Sequence, residues 1–430
     1  MSSQNLSSFA HKLSTAGDLD PLLSTIGDAR IVMLGEASHG THEYYSWRMQ
    51  LSRRLIEEKG FSFIAVEGDW PDCYRINRYV KNYPDSGKTA EEVIRKFDRW
   101  PTWMWANWEV VAFTEWLRRH NQHTEQKSRV GFYGLDVYSL WESLDAIMDY
   151  LKKEDPKAAE YAQRTINCLE PYRDEEGGIS YARAQRWMPS SCEKEVVELL
   201  RAVRSRSNQY DMDPEGAFNA EQNARTAVNA EKYYRMMVDP GPHSWNLRDE
   251  HMMNTLNKLL EFHGENSKAI VWEHNTHIGD ARYTDMAAAG MFNIGQLARE
   301  QWGEEQVRLI GFGSYKGTVT AGRFWGAPTE NMELPPAREN SWEYKLQQIG
   351  DNFILLSEDL KNIPELQQNV MHRAVGVVYN PERERYSNYV PTRIAKRYDA
   401  FVFLKESRGL HPLHIEQALG SIPETYPWNF

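Results

Sequence analysis

The chain has 430 residues, and its 61 acidic side chains outnumber its 50 basic ones to give a formal net charge of −11. This acidity argues against a general nucleic-acid binder, because affinity for a phosphate backbone depends on basic surface. Hydrophobic residues make up 41% of the chain, which is enough for a sizeable core and argues against wholesale disorder. A mean hydropathy of −0.67, with no run of roughly 18 apolar residues, predicts that no segment spans a membrane.

The N-terminus and the cysteines indicate a reduced, cytoplasmic protein. The initial sequence MSSQNLSSFAHKL lacks the basic start and the apolar stretch that are typical of a secretory signal. The three cysteines, Cys73, Cys168 and Cys192, are far apart and outside any CxxC motif. Their spacing predicts neither a disulfide framework nor a thiolate zinc site.

Seven short runs of β-branched and aromatic residues predict strands. They lie at 30–34, 61–66, 130–133, 269–272, 307–311, 375–379 and 400–404. Such nearly continuous apolar runs suit strands that are buried on both faces by helices. Residues 41–59 show helical spacing and are followed by Gly60, which completes a strand–helix–strand unit. The pattern predicts an α/β fold with a largely parallel sheet.

Residues 142–262 differ from the rest of the chain. They contain no good strand run, and they repeat helical patterns rich in Ala, Glu, Arg and Gln. We interpret this segment as a helical insertion, or cap, between the third and fourth strands. No flexible linker is evident, so residues 1–430 are predicted to form a single domain.

Ionisable side chains follow each of the first four strand runs. In order, they are Glu36 and His39, Glu67, Asp136, and His274 with His277. Ligands of parallel α/β sheets bind beyond the carboxyl ends of the strands, so adjacent parallel strands would bring these side chains into one crevice. Asp136 carries less weight than the others, because an Asp after a strand is often the N-cap of the next helix.

Three chemistries are compatible with this set. A histidine could act as a general base that activates water, with carboxylates fixing its tautomer. The histidines and carboxylates could instead bind a metal ion. A serine nucleophile is disfavoured, because no G-x-S-x-G motif occurs and Ser38 lacks the glycine pattern of that motif.

Residues 100–116 hold five of the fifteen tryptophans of the chain. Flat aromatic faces line pockets for bulky ligands, and we expect one of these rings to do so. Trp108 and Trp116 are expected instead to pack on the core from one side of a helix.

Three stretches carry a resemblance to the erythromycin esterase family: LGEASHGTHEYYSWRMQLSRRLIEEKGF, FIAVEGDWPD and VWEHNTHIGD. Further similarity lies in WNLRDEHM, in IGFGSYKGTVTA and in the closing YDAFVFLKE, so the likeness extends from about Arg30 to Pro412. The resemblance implies a three-layer α/β/α fold with helical additions. It also implies hydrolysis of an ester, macrolide lactones in the named members, by histidine-activated water without an obligatory metal.

The family's functional positions fall on six residues of this chain. By this resemblance, His39 is the water-activating base, Glu36 its partner carboxylate, Arg48 the basic position, Glu67 the second glutamate, and His274 with His277 the downstream pair. One departure is Glu273, which places a carboxylate where the family pattern leads us to expect a small residue.

The sequence therefore predicts a hydrolase that cleaves a carboxylic ester or lactone. Glu36 or Glu67 would orient His39, and Arg48, His274 or His277 would stabilise the oxyanion. The expected partner is a small-molecule ester, with no nucleic acid, membrane, metal or cofactor. The alternatives are a metal-dependent hydrolase that uses the Glu/His cluster as ligands and a non-catalytic small-molecule binding protein.

Overall fold

The computed structural model describes residues 6–173, 178–185, 191–206, 214–238 and 241–414. Within these ranges the strands are β1 His11–Lys12, β2 Ile31–Leu34, β3 Phe63–Asp69, β4 Gly131–Asp136, β5 Ala269–Trp272, β6 Val307–Ala321, β7 Glu330–Leu334, β8 Asn352–Leu356, β9 Val370–Arg373, β10 Tyr389–Thr392 and β11 Ala400–Ser407. The helices before β5 are α1 Asp20–Ile26, α2 His42–Lys59, α3 Trp70–Val80, α4 Ala90–Ile94, α5 Trp108–Gln122, α6 Leu140–Glu154, α7 Pro156–Leu169, α8 Gly178–Gln185, α9 Glu193–Arg206, α10 Gly216–Met236 and α11 His243–His263. Those after β5 are α12 Asn275–Ile278, α13 Ile294–Trp302, α14 Trp342–Leu346, α15 Ser357–Leu360, α16 Glu384–Ser387 and α17 Ile394–Arg397.

Nine strands form one sheet in the order β1-β8-β11-β6-β2-β5-β3-β4, with β7 paired to β6. The six strands from β11 to β4 are parallel to their neighbours. The antiparallel pairs are β1 with β8, β8 with β11, and β6 with β7. This largely parallel sheet confirms the predicted α/β fold class.

The strands bury both faces, as their continuous apolar runs predict. In β2, Val32 and Leu34 join one core with residues of α2 and α5, whereas Ile31 and Met33 join a second core with residues of α11 and α13. Side chains alternate across a strand, so a strand that is apolar at every position needs cover on each side. The result is the three-layer arrangement of helices, sheet and helices.

The loop between β2 and α2 passes very close to β6. A Cβ atom on Gly40 would lie 1.8 Å from the carbonyl oxygen of Thr320, so only glycine fits at this position. The predicted helix over 41–59 is present as α2, and Gly60 ends it in the left-handed conformation with φ 67°. Close packing on β6 therefore fixes the loop that carries Glu36 and His39.

Between β4 and β5, the described residues form helices α6 to α11. Their own apolar core includes Leu144, Leu199 and Tyr234, and α11 also packs Leu256 and Leu259 against the sheet. No described helix is long and apolar enough to cross a bilayer. The single-domain organisation over residues 1–430 stays a prediction, since it includes residues outside the described ranges.

One predicted strand is wrong, and five of the observed strands were not predicted. Residues 375–379 make isolated bridges instead of a ladder: the Val375 N–H donates to Ala37, and the Gly322 N–H donates to Val377. The backbone N–H and C=O groups of this segment bond to loops on each side. Its apolar side chains therefore reflect burial and not strand pairing. The strands that were missed are β1, β7, β8, β9 and β10, and all five form antiparallel pairs.

The prediction that no cysteine is paired is also wrong. Cys168, in α7, forms a disulfide with Cys192, which directly precedes α9, and Cys73 is free and buried. Helix α9 packs against α7, which brings the two cysteines together across 24 residues of sequence. Sequence spacing alone does not reveal this return of the chain.

The pairing predicts one titratable thiol in the unfolded, unreduced chain and three after reduction, as measured with a thiol reagent. A crosslink that closes a loop of this length contributes roughly 3 kcal/mol to stability. Reductant should therefore lower the free energy of unfolding of the wild-type protein, whereas a Cys168→Ala variant should have this lower stability with or without reductant. Three reactive thiols without reductant would contradict the pairing.

Candidate active site

The carboxyl ends of β2, β5, β3 and β4 meet at one edge of the sheet, because these strands are neighbours and parallel. A cavity of about 740 Å³ lies beyond this edge. Its walls include His39, Glu67, Asp136, His274 and His277. The structure thus brings together side chains that follow four different strands.

Glu36 and Arg48 lie behind the cavity wall instead of lining it. The Nδ1 atom of His39 is 2.9 Å from Glu36 Oε1, and Arg48 Nη2 donates to Glu36 Oε2 at 2.6 Å. Arg48 is fully buried, with its guanidinium over the rings of Tyr45 and Trp272. Arg48 therefore holds the carboxylate that holds His39, and it is not placed to contact a substrate.

Glu36 and Glu67 surround the His39 ring with negative charge. Burial lowers the pKa of His39, but the charge of Glu67, 4.0 Å from Nε2, and the hydrogen bond to Glu36 outweigh burial and raise it above its usual value. The Nδ1–H bond to Glu36 leaves the Nε2 lone pair directed away from Glu36. In this tautomer Nε2 is the unprotonated nitrogen of His39, and the ring lies in the cavity wall.

Glu67 is held on both oxygens. Its Oε1 accepts from Arg248 Nη2 at 2.6 Å, and its Oε2 accepts from the backbone N–H of His274 at 2.8 Å. Burial raises the pKa of this carboxyl, but the neighbouring His277, the charge of Arg248 and His39 hold it well below its usual range. Glu67 is therefore ionised in the site.

Arg248 connects three walls of the cavity. Its Nε and Nη2 atoms donate to Asp136 at 2.9 and 2.7 Å, and its Nη1 atom donates to His277 at 2.8 Å. Burial raises the pKa of Asp136, but the Arg248 charge outweighs it and lowers that pKa. Asp136 is not a helix N-cap, because α6 begins at Leu140. Arg248 was not among the residues predicted from the sequence, although it lies in the WNLRDEHM stretch that carries part of the family resemblance.

His277 is fixed by its neighbours on all sides. Its Nδ1 lies 3.0 Å from Asp249, its Nε2 accepts from Arg248, and its ring stacks on Trp245 with a centroid distance of 4.5 Å. The proton must then be on Nδ1, since Nε2 is an acceptor. Asp249, also missed in the sequence, thus sets the tautomer of His277 and leaves it no spare N–H.

His274 is the opposite tautomer to His277. Its Nδ1 accepts from the backbone N–H of Thr276 at 3.2 Å, which places the proton on Nε2. Burial, together with the nearby His39 and His277, holds the pKa of His274 well below its usual value. His274 is therefore a neutral imidazole whose ring lines the cavity.

Glu273 is fully buried, and neither of its carboxyl oxygens has a hydrogen-bond partner among the described residues. Burial and the charges of Glu67 and Asp249 raise its pKa well above the usual range. Its surroundings therefore favour the protonated, neutral form of this carboxyl, and Glu273 does not line the cavity. The departure from the family pattern adds a buried acid behind the cavity wall.

Aromatic side chains form much of the remaining wall of the cavity. They are Phe97, Trp105, Tyr138, Trp245, Phe324, Trp325 and Tyr389. Trp105 comes from the tryptophan-rich segment, as expected for one of its rings, and its Nε1 donates to the Glu67 carbonyl at 2.9 Å. Trp116 packs on the core as expected, but Trp108 does not, because it is 48% exposed.

The chain is similar to known proteins over most of its length. The family model described as erythromycin esterase matches residues 56–407, so Glu36, His39 and Arg48 precede the matched range. Erythromycin esterase type II of Escherichia coli is 23% identical over 388 residues, which cover 81% of this chain and 86% of the relative.

Two solved structures share the fold. A protein from Bacillus cereus has a TM-score of 0.76 at 20% identity, over 96% of this chain and 98% of the other. A mutant of the erythromycin esterase EreC in its open conformation has a TM-score of 0.69 at 18% identity, over 94% and 97%. At these identities the likeness supports the fold alone.

The raised pKa of Glu273 predicts that this side chain lowers the free energy of unfolding by an amount that depends on pH. The folded state retains the proton while the unfolded chain loses it above about pH 4.3, so the cost is absent below that pH and grows as pH rises towards the folded pKa. Glu273→Gln should remove this cost. The variant should be more stable than wild type in urea unfolding at neutral pH and equal to it near pH 4. A stability difference that does not change with pH would contradict the assignment.

Proposed function

We propose that this chain, which belongs to the erythromycin esterase family, hydrolyses a carboxylic ester or lactone with water activated by His39. Family membership supports a hydrolase. The observation that carries the finer proposal is the geometry of His39: Nδ1 bonded to Glu36 at 2.9 Å, Nε2 4.0 Å from Glu67, and the ring in the cavity wall. This is the arrangement of a general base oriented by a carboxylate.

In the proposed reaction, His39 Nε2 takes a proton from a water molecule as the water oxygen attacks the ester carbonyl. Glu36 fixes the Nδ1–H tautomer, and Arg48 holds Glu36 in place. The imidazolium that forms is stabilised by Glu36 and Glu67. His39 then returns the proton to the leaving alkoxide when the carbon–oxygen bond breaks.

The attack places negative charge on the carbonyl oxygen, which needs a donor. Of the three candidates from the sequence, Arg48 does not line the cavity, and both ring nitrogens of His277 are engaged. The His274 ring lines the cavity, and its centroid is 4.9 Å from that of His39. We therefore assign oxyanion stabilisation to His274, whose low pKa keeps it neutral beside the charged His39.

The position of Arg248 favours this mechanism over a metal-dependent one. Its guanidinium lies between Glu67, Asp136 and His277, where a metal bound by the Glu/His cluster would have to compete with it. A fixed guanidinium already supplies the cation that the carboxylates require. The alternative of metal-dependent hydrolysis would need these three contacts to break.

The cavity supports a bulky, partly apolar substrate. Its volume of about 740 Å³ lies within the range of sites that enclose drug-sized ligands. Aromatic rings dominate its walls away from the catalytic edge, and such surfaces bind extended apolar faces. Macrocyclic lactones and aryl esters of bulky acids are accordingly the first substrates to test.

His39→Ala should lower kcat/KM by about 100- to 10,000-fold, the usual contribution of a general base. The assay is hydrolysis of a panel of aryl esters and macrocyclic lactones by the purified full-length protein. His123→Ala, which removes an exposed histidine outside the cavity, is the matched control and should keep wild-type activity. A folded His39→Ala variant with near-normal turnover would refute the role of His39. Tight binding of these esters without any hydrolysis by wild type would favour a binding protein.

The raised pKa of His39 predicts a pH profile. The base works only when it is neutral, so kcat/KM should fall as pH drops through this pKa, with a midpoint above about 6.5, the ordinary value for histidine. Glu67→Gln removes the charge that raises this pKa, and its midpoint should move to lower pH. Circular dichroism checks that the variant is folded. A midpoint that Glu67→Gln leaves unchanged would show that another group limits the reaction.

A further inference from the structure

A second cluster of ligand-type side chains lies outside the catalytic cavity, where three segments of the chain meet. His42 is the first residue of α2, Glu109 lies in the first turn of α5, and His411 lies in the segment after β11. None of the three lines the cavity. Nothing in the proposed reaction uses them.

The three side chains point their ligand atoms at one place. His42 Nδ1 and His411 Nδ1 lie 2.6 and 2.7 Å from the same oxygen, Glu109 Oε1. The three ligand atoms all lie within 4.8 Å of one another. Two imidazole nitrogens and one carboxylate oxygen form a ligand set that zinc accepts while keeping a fourth position for water.

The distances allow an ion with little movement. Zinc bonds of about 2.0–2.1 Å in a tetrahedral site place ligand atoms roughly 3.3 Å apart. The His–Glu distances would therefore have to lengthen by less than about 1 Å. The side chain of His411 is 61% exposed, so this ring can move and gives solvent access to the site.

Surrounding contacts hold the other two ligands in position. The His42 Nε2 atom is 3.3 Å from Ser46 Oγ one turn along α2, and a bond from Nε2–H to this oxygen would leave the Nδ1 lone pair for the ion. Glu109 is only 5% exposed. Backbone bonds fix the segments to one another, from His42 N–H to the Arg408 carbonyl and from Trp108 N–H to the His411 carbonyl.

We propose that His42, Glu109 and His411 bind one divalent transition-metal ion of the zinc class. The ion replaces the protons that the two rings now share with the carboxylate, and water completes its coordination. It would join α2, α5 and the C-terminal segment. Its role is structural, because it lies outside the cavity, although α2 begins only three residues after His39.

The test uses full-length, tag-free protein that has been treated with a chelator and then titrated with zinc chloride. We expect one zinc per chain by calorimetry and by elemental analysis after dialysis, together with a rise in melting temperature. His411→Ala should weaken zinc binding by at least about 10-fold and remove the rise in melting temperature. His123→Ala, the exposed-histidine control, should bind zinc as wild type does.

Glu109→Gln provides a second variant that keeps the shape of the side chain, and it should also lose the site. Circular dichroism without zinc shows whether each variant is folded. Zinc affinity and stoichiometry that His411→Ala leaves unchanged would overturn the proposal and would point to the histidines of the catalytic cavity. Failure of the wild-type protein to retain zinc would overturn it as well.

Discussion

The architecture of the site depends on the way buried acids are balanced by two arginines. Arg248 contacts Glu67, Asp136 and His277 at once, and Arg48 holds Glu36 from the opposite side of the sheet edge. A buried ion is costly unless it is paired and hydrogen-bonded, and removal of one partner leaves the other uncompensated. The arginines therefore allow two buried glutamates to flank His39.

The same environment shifts the pKa values of two neighbouring histidines in opposite directions. The rings of His39 and His274 are 4.9 Å apart, yet the pKa of His39 is raised and that of His274 is lowered. His39 faces the carboxylates, whereas His274 faces other imidazoles and donates its backbone N–H to Glu67. This division supplies a base and a neutral donor side by side, which is what the proposed attack of water on an ester requires.

The parallel sheet explains why these groups meet. The ends of β2, β5 and β3 are level, since Leu34 pairs with Trp272 and Trp272 pairs with Val66. The residues that follow each strand therefore enter one crevice. Helix α11, from the segment predicted to be an insertion, packs on the same sheet and adds Arg248 and Asp249. The candidate active site is thus built by the sheet and completed by a helix that is distant in sequence.

The amino-acid sequence by itself determined the strands of the parallel core, helix α2, the family and the polar groups that follow the strands. These features are local. The period of the apolar residues predicts a strand or a helix, and the residues that follow a strand mark its end. Only the tertiary structure decided which distant side chains contact one another. Arg248 reaches Asp136 and Glu67 across 112 and 181 positions, Cys168 meets Cys192 through helix packing, and Arg48 lies behind Glu36 instead of in the cavity. No local pattern encodes such contacts, since they depend on how distant segments pack against one another.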